Sequence, residues 1–277
     1  MSDLACTARS LAIQVGMDTW ATIHREASAA VAADRLMAGP VDSWILRHAS
    51  LPDALACNLA RKLADDGLSA EVLSELIGEA LENDPDIIEA AAADLAAVRE
   101  RDPACTDLLT PFLFFKGFQA IQAYRISHWL WLRGRTNLAR YLQSRVSEVF
   151  AGDIHPGARI GRGIMVDHLT GLVIGETAVV EDDVSMLHEV TLGGTGKDTG
   201  DRHPKVRRGV LISAGAKILG NIEIGEGAKV GAGSIVLDSV APYTTVVGVP
   251  ARPVGPRNTS MPALTMDQML PPYDWVI

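Results

Sequence analysis

Residues 154–192 read IHPGARIGRGIMVDHLTGLVIGETAVVEDDVSMLHEVTL, and this stretch decides the fold. An aliphatic residue returns at a spacing of six, and the repeat resumes beyond residue 192. The residues that head these hexads are Ile154, Ile160, Val166, Ile174, Val180, Met186, Leu192, Ile212, Ile218, Ile224, Val230 and Val236. A period of six is too long for a helical turn and too regular for ordinary strands.

Two further features accompany the heads. Most heads are followed four positions later by a small or β-branched residue, as in Ala178 and Ala216, and several are followed directly by a glycine, as in Gly161, Gly175 and Gly225, where we expect the backbone to turn tightly. Two inward-facing side chains per six residues is the spacing of a parallel β-helix. Its coils stack about 4.8 Å apart, so residues one coil apart in sequence become neighbours.

The hexad repeat is broken twice. A two-residue slip falls between Val166 and Ile174, and a larger break between Leu192 and Ile212 contains GGTGKDTGDRHPKVRRG. A break in a solenoid usually marks an insertion that leaves one face. Both insertions hold histidines flanked by acids or arginines, and solenoid proteins often place binding residues on such excursions.

Residues 1–150 have a different period, with apolar residues at helical spacing. We expect helices over 18–37, 54–64, from Ser69 onward, and over 86–99, 112–133 and 137–150. Aromatic residues between Phe112 and Arg133 are interpreted as helix-packing core rather than a cofactor site. The predicted organisation is an α+β chain with an α-helical domain (1–150), a β-helix domain (151–252) and a flexible, extended tail (253–277).

Composition excludes several classes of protein. The chain has 277 residues, is 48% hydrophobic and 21% charged, and therefore resembles folded rather than disordered proteins. Its net charge of −9 argues against nucleic-acid partners and anionic membranes. The three cysteines form no CxxC pair, so neither a disulfide framework nor a metal site is predicted. With no signal-like start and no long apolar run, we expect a cytoplasmic protein without membrane contact.

Three segments resemble the serine acetyltransferase family: DIHPGARIGRGIMVDHLTG (153–171), VTLGGTGKDTGDRHPK (190–205) and GAKILGNIEIG (215–225). Hexapeptide repeats alone indicate only the wider acyltransferase superfamily, and DRHPK with VDHLTG narrows the resemblance. It implies an α-helical N-terminal domain before a left-handed β-helix, trimers that pair into hexamers, and acetyl transfer from acetyl-CoA to L-serine, the first step of cysteine biosynthesis. The handedness comes from the resemblance alone, because the usual crossover rule predicts the opposite hand.

The reaction needs a base that removes the hydroxyl proton of serine while that oxygen attacks the thioester, and an imidazole suits this role. His168 is the candidate. Asp153, fifteen residues earlier and so nearly one coil below, would accept the other ring N–H, and the resemblance implies such a dyad. The alternative interpretation is a histidine whose ring is merely satisfied by Thr170 or by backbone.

Free serine carries an ammonium and a carboxylate, so its site needs acids for the first and donors for the second. The resemblance assigns Asp102 and Asp167 to the amine, and Arg202 and His203 to the carboxylate, with His203 also assisting proton transfer. Otherwise Asp102 is a solvated helix end and Arg202 forms a loop salt bridge of little energetic value.

Coenzyme A needs backbone donors for its pantetheine arm and local cations for its phosphates. The candidates share small size or positive charge: Gly193, Gly194, Ala214, Ala232, Lys229 and Arg252. The Gly194 N–H is also a candidate oxyanion donor. Glu176 recurs in the family but is equally consistent with a turn-capping carboxylate, so it is left out of the site, and His155 and His188 are interpreted as packing or stacking residues.

The chain ends in Ile277. Family members typically end in isoleucine, and the resemblance implies that this terminus inserts into the active site of O-acetylserine sulfhydrylase. A plain frayed tail is the alternative. The resemblance also implies feedback inhibition by L-cysteine, which competes at the serine site.

Three rival functions remain open. The first is an acetyltransferase on the same scaffold that acts on a sugar or antibiotic hydroxyl with His168 as base. The second is a zinc hydro-lyase like the β-helix carbonic anhydrases, although His155, His168, His188 and His203 do not match that family's ligand trio. The third is a non-catalytic scaffold that presents the tail to a partner.

Overall fold

A computed structural model describes residues 2–257 and 259–270, with side chains described from residue 16 onward. The first half is helical, as predicted. Its helices are α1 (Ser2–Ala33), α2 (Ala38–Val41), α3 (Leu51–Leu63), α4 (Ala70–Asn83), α5 (Asp86–Arg101), α6 (Leu109–Phe114), α7 (Lys116–Leu132) and α8 (Thr136–Phe150), with a 3₁₀ turn, Arg35–Met37, before α2 and a π turn, Asp42–Leu46, after it.

Helix boundaries differ from the predicted ones where local caps or breaks decide them. Helix α3 begins three residues before Ala54 because the Ser50 hydroxyl accepts a hydrogen bond from the Asp53 N–H at 3.4 Å. The predicted helix over 112–133 is divided at Phe115, which has extended backbone angles between α6 and α7. The aromatic residues that follow are core, as predicted, since Tyr124 and Trp129 are buried, whereas Phe114 is exposed.

The second half consists of short strands: β1 (Asp153–Ile154), β2 (Arg159–Ile160), β3 (Met165–Val166), β4 (Val173–Ile174), β5 (Val179–Val180), β6 (Ser185–Met186), β7 (Thr191–Gly193), β8 (Lys205–Val206), β9 (Leu211–Ile212), β10 (Lys217–Leu219), β11 (Glu223–Ile224), β12 (Lys229–Val230), β13 (Ile235–Val236), β14 (Thr245–Gly248) and β15 (Ala251–Val254). A short helix, α9 (Pro262–Thr265), follows.

Successive strands join three different sheets in turn. Sheet A has the order β1-β4-β7-β10-β13, sheet B has β11-β8-β5-β2, and sheet C has β15-β14-β12-β9-β6-β3. Among the described strands, every pairing is parallel except that of β14 with β15. The three sheets are the faces of a parallel β-helix, which is left-handed. We call the turns after β3, β6, β9 and β12 the C–A corner, and the turns after β4, β7 and β10 the A–B corner.

The hexad prediction is confirmed with one addition. All predicted heads except the half-buried Ile160 are buried. Val206 is a head that was not predicted: it is 0% exposed, and β8 pairs with β5 and β11. The larger insertion therefore ends before β8 rather than at Ile212. The two-residue slip is real, since Asp153 pairs with Val173, twenty residues on, and the next coil pairs Val173 with Thr191, eighteen residues on.

The glycines that follow the heads serve close approach between coils rather than tight turning. Gly161, Gly175 and Gly225 do not have positive φ angles. A Cβ atom on Gly175 would overlap the His203 imidazole of the next coil, and one on Gly225 would lie 2.5 Å from the Pro242 nitrogen. Only hydrogen fits at these positions.

A buried ion pair joins the helices to the first coil of the β-helix, which contains β1, β2 and β3. The Asp94 carboxylate in α5 is 1% exposed and lies 2.7 Å from an Arg125 nitrogen in α7. Its other oxygen accepts a hydrogen bond from the Ile164 N–H at 2.8 Å, and Arg125 donates to the Gly161 carbonyl at 2.8 Å. The Tyr124 hydroxyl donates to the Ala158 carbonyl at 2.5 Å. Helices α5 and α7 are thereby fixed against the first coil.

The predicted flexible tail is wrong for residues up to 270. Strand β15 crosses the predicted boundary at 252, and α9 packs on sheet C, where Ala263 is fully buried and its carbonyl accepts a hydrogen bond from Ser185 at 3.0 Å. Met266 packs against Val98 and Met165. Buried apolar side chains, together with hydrogen bonds from Ser185 and Lys229, hold this segment to sheet C. Residues 271–277, including Ile277, lie outside the described residues.

Among the described residues, no helix has both the length and the apolar character needed to cross a membrane.

The contact between α7 and β3 gives a stability prediction. A Cβ atom on Gly117 would overlap the carbonyl oxygen of Val166 and lie 3.0 Å from its carbonyl carbon, so Gly117→Ala should lower the free energy of unfolding by about 3 kcal/mol. Gly78 in α4 faces open space, with no atom within 4 Å of the place that a Cβ would take. Gly78→Ala is therefore the matched control and should raise stability slightly, by about 0.5–1 kcal/mol. Urea unfolding measures both; equal stabilities for the two variants would contradict the packing described.

Candidate active site

A cavity of about 400 Å³ opens between the end of α5, the start of α7 and the turn after β3. Its lining includes three of the predicted site residues, Asp102, Asp167 and His168, which lie far apart in sequence. The remaining lining residues are Val98, Ala104, Phe114, Phe115, Lys116, Gly117, Phe118, Met165 and Val166. Two carboxylates and an imidazole therefore share one apolar-walled pocket, as expected of a site that binds a small cationic group.

The turn that carries His168 is held in a strained shape. His168 and Leu169 both have left-handed backbone angles, with φ of 59° and 55°, which non-glycine residues rarely adopt. Leu169 is 0% exposed and anchors the turn, and the Gly171 N–H donates to the Ala151 carbonyl at 2.8 Å. The Thr170 hydroxyl donates to the His168 carbonyl at 3.3 Å. Burial of Leu169 and several hydrogen bonds thus fix the His168 side chain outward.

Lys116, at the start of α7, reinforces this turn, since its ammonium donates to the Thr170 hydroxyl. Lys116 was not predicted, because nothing in the local sequence pattern links residue 116 to residue 170. Its contact follows from the docking of α7 on the first coil.

The His168 imidazole faces the cavity, with 73% of its side chain exposed. Its Nε2 lies 3.6 Å from an Asp167 carboxylate oxygen, longer than a hydrogen bond. The alternative in which Thr170 or a backbone group hydrogen-bonds the His168 imidazole is wrong, since the Thr170 hydroxyl donates to the His168 carbonyl instead. Among the described residues, no hydrogen bond holds the imidazole.

Asp153 does not lie where the spacing suggested. Fifteen residues are fewer than one coil, and the two-residue slip lengthens this coil to twenty, so Asp153 pairs with Val173, five residues beyond His168. Its carboxylate accepts a hydrogen bond from the Gln143 amide at 2.7 Å. The predicted contact between Asp153 and His168 is not made in this structure.

Asp102 is both a helix end and a cavity residue. It caps the C-terminus of α5, and its carboxylate accepts a hydrogen bond from the Ala104 N–H at 2.8 Å. The preceding Arg101 is buried and donates to the Gly163 carbonyl at 2.9 Å, and it pairs with Asp183 at 3.2 Å. Arg101 thus ties the end of α5 to the β-helix and fixes the position of Asp102.

Arg202 and His203 lie at a different place, the A–B corner. Arg202 pairs with Glu176 at 2.7 Å, so the residue that was left unassigned is an ion-pair partner. The Thr177 hydroxyl accepts hydrogen bonds from the N–H groups of Arg202 at 3.0 Å and His203 at 3.1 Å. This group is separate from the cavity: within the described residues no hydrogen bond or ion pair joins it to His168.

The hydrogen bonds of His203 define its protonation. Its Nδ1 accepts from the Thr177 N–H at 3.2 Å and lies 2.9 Å from the Thr177 hydroxyl, which already accepts two N–H groups and so donates its own proton to Nδ1. The neutral ring therefore carries its proton on Nε2. Burial, aided by the Arg202 cation and opposed by Glu176, lowers the pKa of His203 below its ordinary value of 6.5.

The residues predicted for coenzyme A fall into three places. Ala214 and Ala232 lie at the C–A corner, directly above His168 and His188 in the strand register. Gly193 and Gly194 lie at the A–B corner, where a Cβ atom on Gly194 would be 3.5 Å from the Arg202 carbonyl. The two cations are on the C sheet.

Of these cations only Arg252 is exposed. Lys229 is 4% exposed, and its ammonium donates to the carbonyls of Asp267 and Met269 at 2.9 and 2.8 Å. The prediction that Lys229 meets phosphate is therefore not supported by this structure, because the C-terminal segment covers it. Arg252 has an exposed side chain 3.8 Å from Asp238.

In the part of the chain that is described, no three His, Cys, Asp or Glu side chains are grouped so as to hold a metal ion. The sequence-based expectation of a metal-free site remains a prediction.

The depressed pKa of His203 predicts a pH effect on stability. As pH falls through 6.5 the unfolded chain takes up a proton at residue 203 and the folded chain does not, so the stabilisation present at neutral pH is lost as pH falls towards the lower folded pKa. His203→Asn keeps an acceptor near Thr177 and cannot titrate. Urea unfolding between pH 8 and pH 5 should show a steeper loss of stability for the parent chain than for this variant; parallel curves would contradict the neutral assignment.

Comparison with known proteins identifies the family. The family model "Serine acetyltransferase, N-terminal" matches residues 19–123, and "Bacterial transferase hexapeptide (six repeats)" matches residues 203–238. The serine acetyltransferase of Salmonella typhimurium is 55% identical over 249 residues, which cover 90% of this chain and 91% of that protein.

Solved structures support the same family assignment. The serine acetyltransferase of Vibrio cholerae superposes with a TM-score of 0.90 at 54% identity, covering 92% of this chain and 98% of that one. A serine acetyltransferase in complex with cysteine gives 0.90 at 52% identity, with 92% and 99% covered. The Brucella abortus enzyme in complex with coenzyme A gives 0.85 at 49% identity, with 87% and 96% covered. With a helical N-terminal domain, a left-handed β-helix and this degree of identity, the chain belongs to the serine acetyltransferase family of acyltransferases.

Proposed function

We propose that this protein transfers the acetyl group of acetyl-CoA to the hydroxyl of L-serine, with His168 as the general base. The observation that carries the proposal is the cavity that collects Asp102, Asp167 and the exposed imidazole of His168. The family membership supports the same reaction, as does the coenzyme A complex of the Brucella relative.

His168 acts on the serine hydroxyl. Its imidazole nitrogen takes the proton as the hydroxyl oxygen adds to the thioester carbon. The carbonyl electron pair moves onto oxygen and returns as the carbon–sulfur bond breaks. The proton held by His168 passes to the departing sulfur, so that O-acetylserine and free coenzyme A thiol result. No covalent acyl-enzyme is needed, because the hydroxyl attacks directly.

Asp153 is the proposed partner that orients His168 and stabilises its imidazolium. One Asp153 carboxylate oxygen accepts from the Gln143 amide, so the pairing requires the ring N–H to reach the other oxygen. Asp167, whose oxygen already lies 3.6 Å from Nε2, faces the same cavity and is assigned to substrate.

The charges of the cavity suit an amino acid. Asp102 and Asp167 provide carboxylates for the serine ammonium, in a pocket whose other walls are largely apolar. The serine carboxylate requires donors, which Arg202 and the Nε2–H of His203 supply at the A–B corner. A neutral sugar hydroxyl would use neither the acids nor the arginine, so the first rival function is disfavoured.

The two corners are on either side of sheet A, so one chain does not bring both groups to one substrate. A second copy solves this geometry: the C–A corner of one copy meets the A–B corner of the next, and repetition around an axis along the β-helix closes a ring. We therefore propose a homotrimer, or a dimer of trimers, with each site shared by two copies. His168, Asp167 and Asp102 come from one copy, and Arg202 and His203 from its neighbour.

Acetyl-CoA is the proposed co-substrate. The half-buried Ala214 and exposed Ala232 form a small-residue path that rises from His168 along the C–A corner. Gly193 and Gly194 of the neighbouring copy would flank this path, and Arg252 is the remaining exposed cation for phosphate. Lys229 is assigned instead to the C-terminal segment it holds.

Regulation and partners are proposed from the family. A relative's complex with cysteine supports inhibition by L-cysteine at the serine site, where the same ammonium and carboxylate are recognised. The final Ile277 is proposed to bind O-acetylserine sulfhydrylase, and the cytoplasm is the proposed location, where acetyl-CoA and both enzymes of this reaction sequence would meet.

Thiol release from acetyl-CoA tests the proposed function. The purified protein should release thiol with L-serine and not with a galactoside, and added L-cysteine should lower the rate. His168→Ala should reduce turnover by a factor of about 10³ because the general base is lost. Asp102→Asn should mainly raise KM for serine. Release that requires a sugar acceptor, or full activity in His168→Ala, would overturn the assignment.

A further inference from the structure

The turn that carries His168 is larger than the other turns of the C–A corner. Each of the three turns above it has one left-handed residue: Glu189, Gly215 or Gly233. The N–H of that residue donates to the carbonyl just before the matching left-handed residue of the coil below. Glu189 donates in this way to the Thr170 carbonyl at 2.8 Å, so Gly171 is its match in the first coil. The enlarged turn has two further left-handed residues, His168 and Leu169, that the other three turns lack.

The start of α7 holds the enlarged turn at both ends. Gly117 packs on the backbone of Val166, where the turn begins, so closely that a Cβ atom would overlap the Val166 carbonyl oxygen. At the other end the Lys116 ammonium donates a hydrogen bond to the Thr170 hydroxyl. That hydroxyl donates in turn to the His168 carbonyl at 3.3 Å. Among the described residues, no other side chain of the helical domain hydrogen-bonds this turn.

The Lys116–Thr170 hydrogen bond matters more for geometry than for folding. Thr170 is exposed and Lys116 is half-buried, and polar contacts at such positions add little to the free energy of unfolding because water competes for them. Consecutive left-handed residues other than glycine, however, persist only where surrounding contacts fix them. The base must lie within hydrogen-bond reach of the serine hydroxyl, and a misplacement of about 1 Å costs about 100-fold in rate.

We propose that Lys116 is a positioning residue for the general base: through the Thr170 hydroxyl it holds the enlarged turn in the shape that directs the His168 imidazole into the cavity. This inference rests on the proposed function. Lys116 also lines the cavity, so direct contact with the substrate is the competing role. A positioning residue acts only through His168, whereas a substrate-binding residue acts whether or not His168 is present.

Four substitutions separate the hydrogen bond from the size of the side chains. Lys116→Met and Thr170→Val remove the donor or the hydroxyl with little change in size, and Lys116→Arg and Thr170→Ser retain them. The first two should each lower kcat about 100-fold with KM for serine unchanged, and the second two should stay within about tenfold of the parent. Urea unfolding should give the parent's midpoint for all four. A loss expressed mainly in KM for serine, or an unchanged kcat in Lys116→Met, would overturn the inference.

Two double variants test whether Lys116 acts through Thr170 and His168. Lys116→Met combined with Thr170→Val should be no slower than either single variant, because both changes remove the same hydrogen bond. In His168→Ala, the addition of Lys116→Met should leave the residual turnover unchanged. Additive losses in either combination would contradict the inference, because Lys116 would then contribute by a separate route.

Amide hydrogen exchange reports on the turn without any substrate. The Gly171 N–H donates to the Ala151 carbonyl at 2.8 Å, which should protect it in the parent chain. In Lys116→Met, residues 167–172 should exchange about tenfold faster, while β9 on the far side of the next coil should be unaffected. Unchanged exchange over 167–172 would contradict the positioning role. Failure of the proposed function is distinguishable, because it would appear as absent serine-dependent turnover in the parent chain itself.

Discussion

The buried Asp94 carboxylate is the contact on which the site depends. It is 1% exposed, and its oxygens bind Arg125, Gln122 and the Ile164 backbone, so it links α5, α7 and the first coil in one hydrogen-bonded cluster. Loss of one partner of such a buried pair costs about 3–5 kcal/mol because the other charge is left unpaired. The cluster is therefore stable, and it determines where the C-terminus of α5 meets the β-helix. Asp102 stands at that C-terminus, opposite His168.

The β-helix acts as the second fixed frame. Its strand register places residues of successive coils in vertical columns, and His168, His188, Ala214 and Ala232 make up the column at the C–A corner. The same register places Glu176, Gly194 and the Arg202 loop at the A–B corner. A rigid β-helix cannot bring two of its corners together, so the proposed serine site requires a second copy. Oligomerisation is in this view a consequence of the scaffold's shape.

Much of this was predictable from the sequence. The six-residue period predicts the β-helix and nearly every inward-facing residue, because each face of each coil must bury an aliphatic side chain at the same position. Val206 was not predicted because the insertion before it leaves no aliphatic residue six positions earlier, so the period is interrupted there. The register places Asp153 below Val173 and not below His168, because fifteen residues fall short of one coil and the two-residue slip lengthens this coil further.

The remaining site residues depend on contacts between segments with no shared period. Lys116 reaches Thr170 only because α7 docks on the first coil, and Lys229 is buried only because the C-terminal segment folds over sheet C. Local pattern carries no information about either contact. Glu176 was visible as a residue of suitable chemistry, but its role depends on Arg202, which lies 26 residues later at the same corner.

The most direct test of the shared site is complementation between two inactive copies. His168→Ala and His203→Ala chains, carrying different tags, are co-expressed and purified through both tags. If each site takes His168 from one copy and His203 from the next, every mixed trimer holds one site that joins two intact residues, and about a quarter to a third of the parent turnover returns. Mixed oligomers no more active than the average of the two parent variants would show that each chain holds a complete site, and would contradict the account.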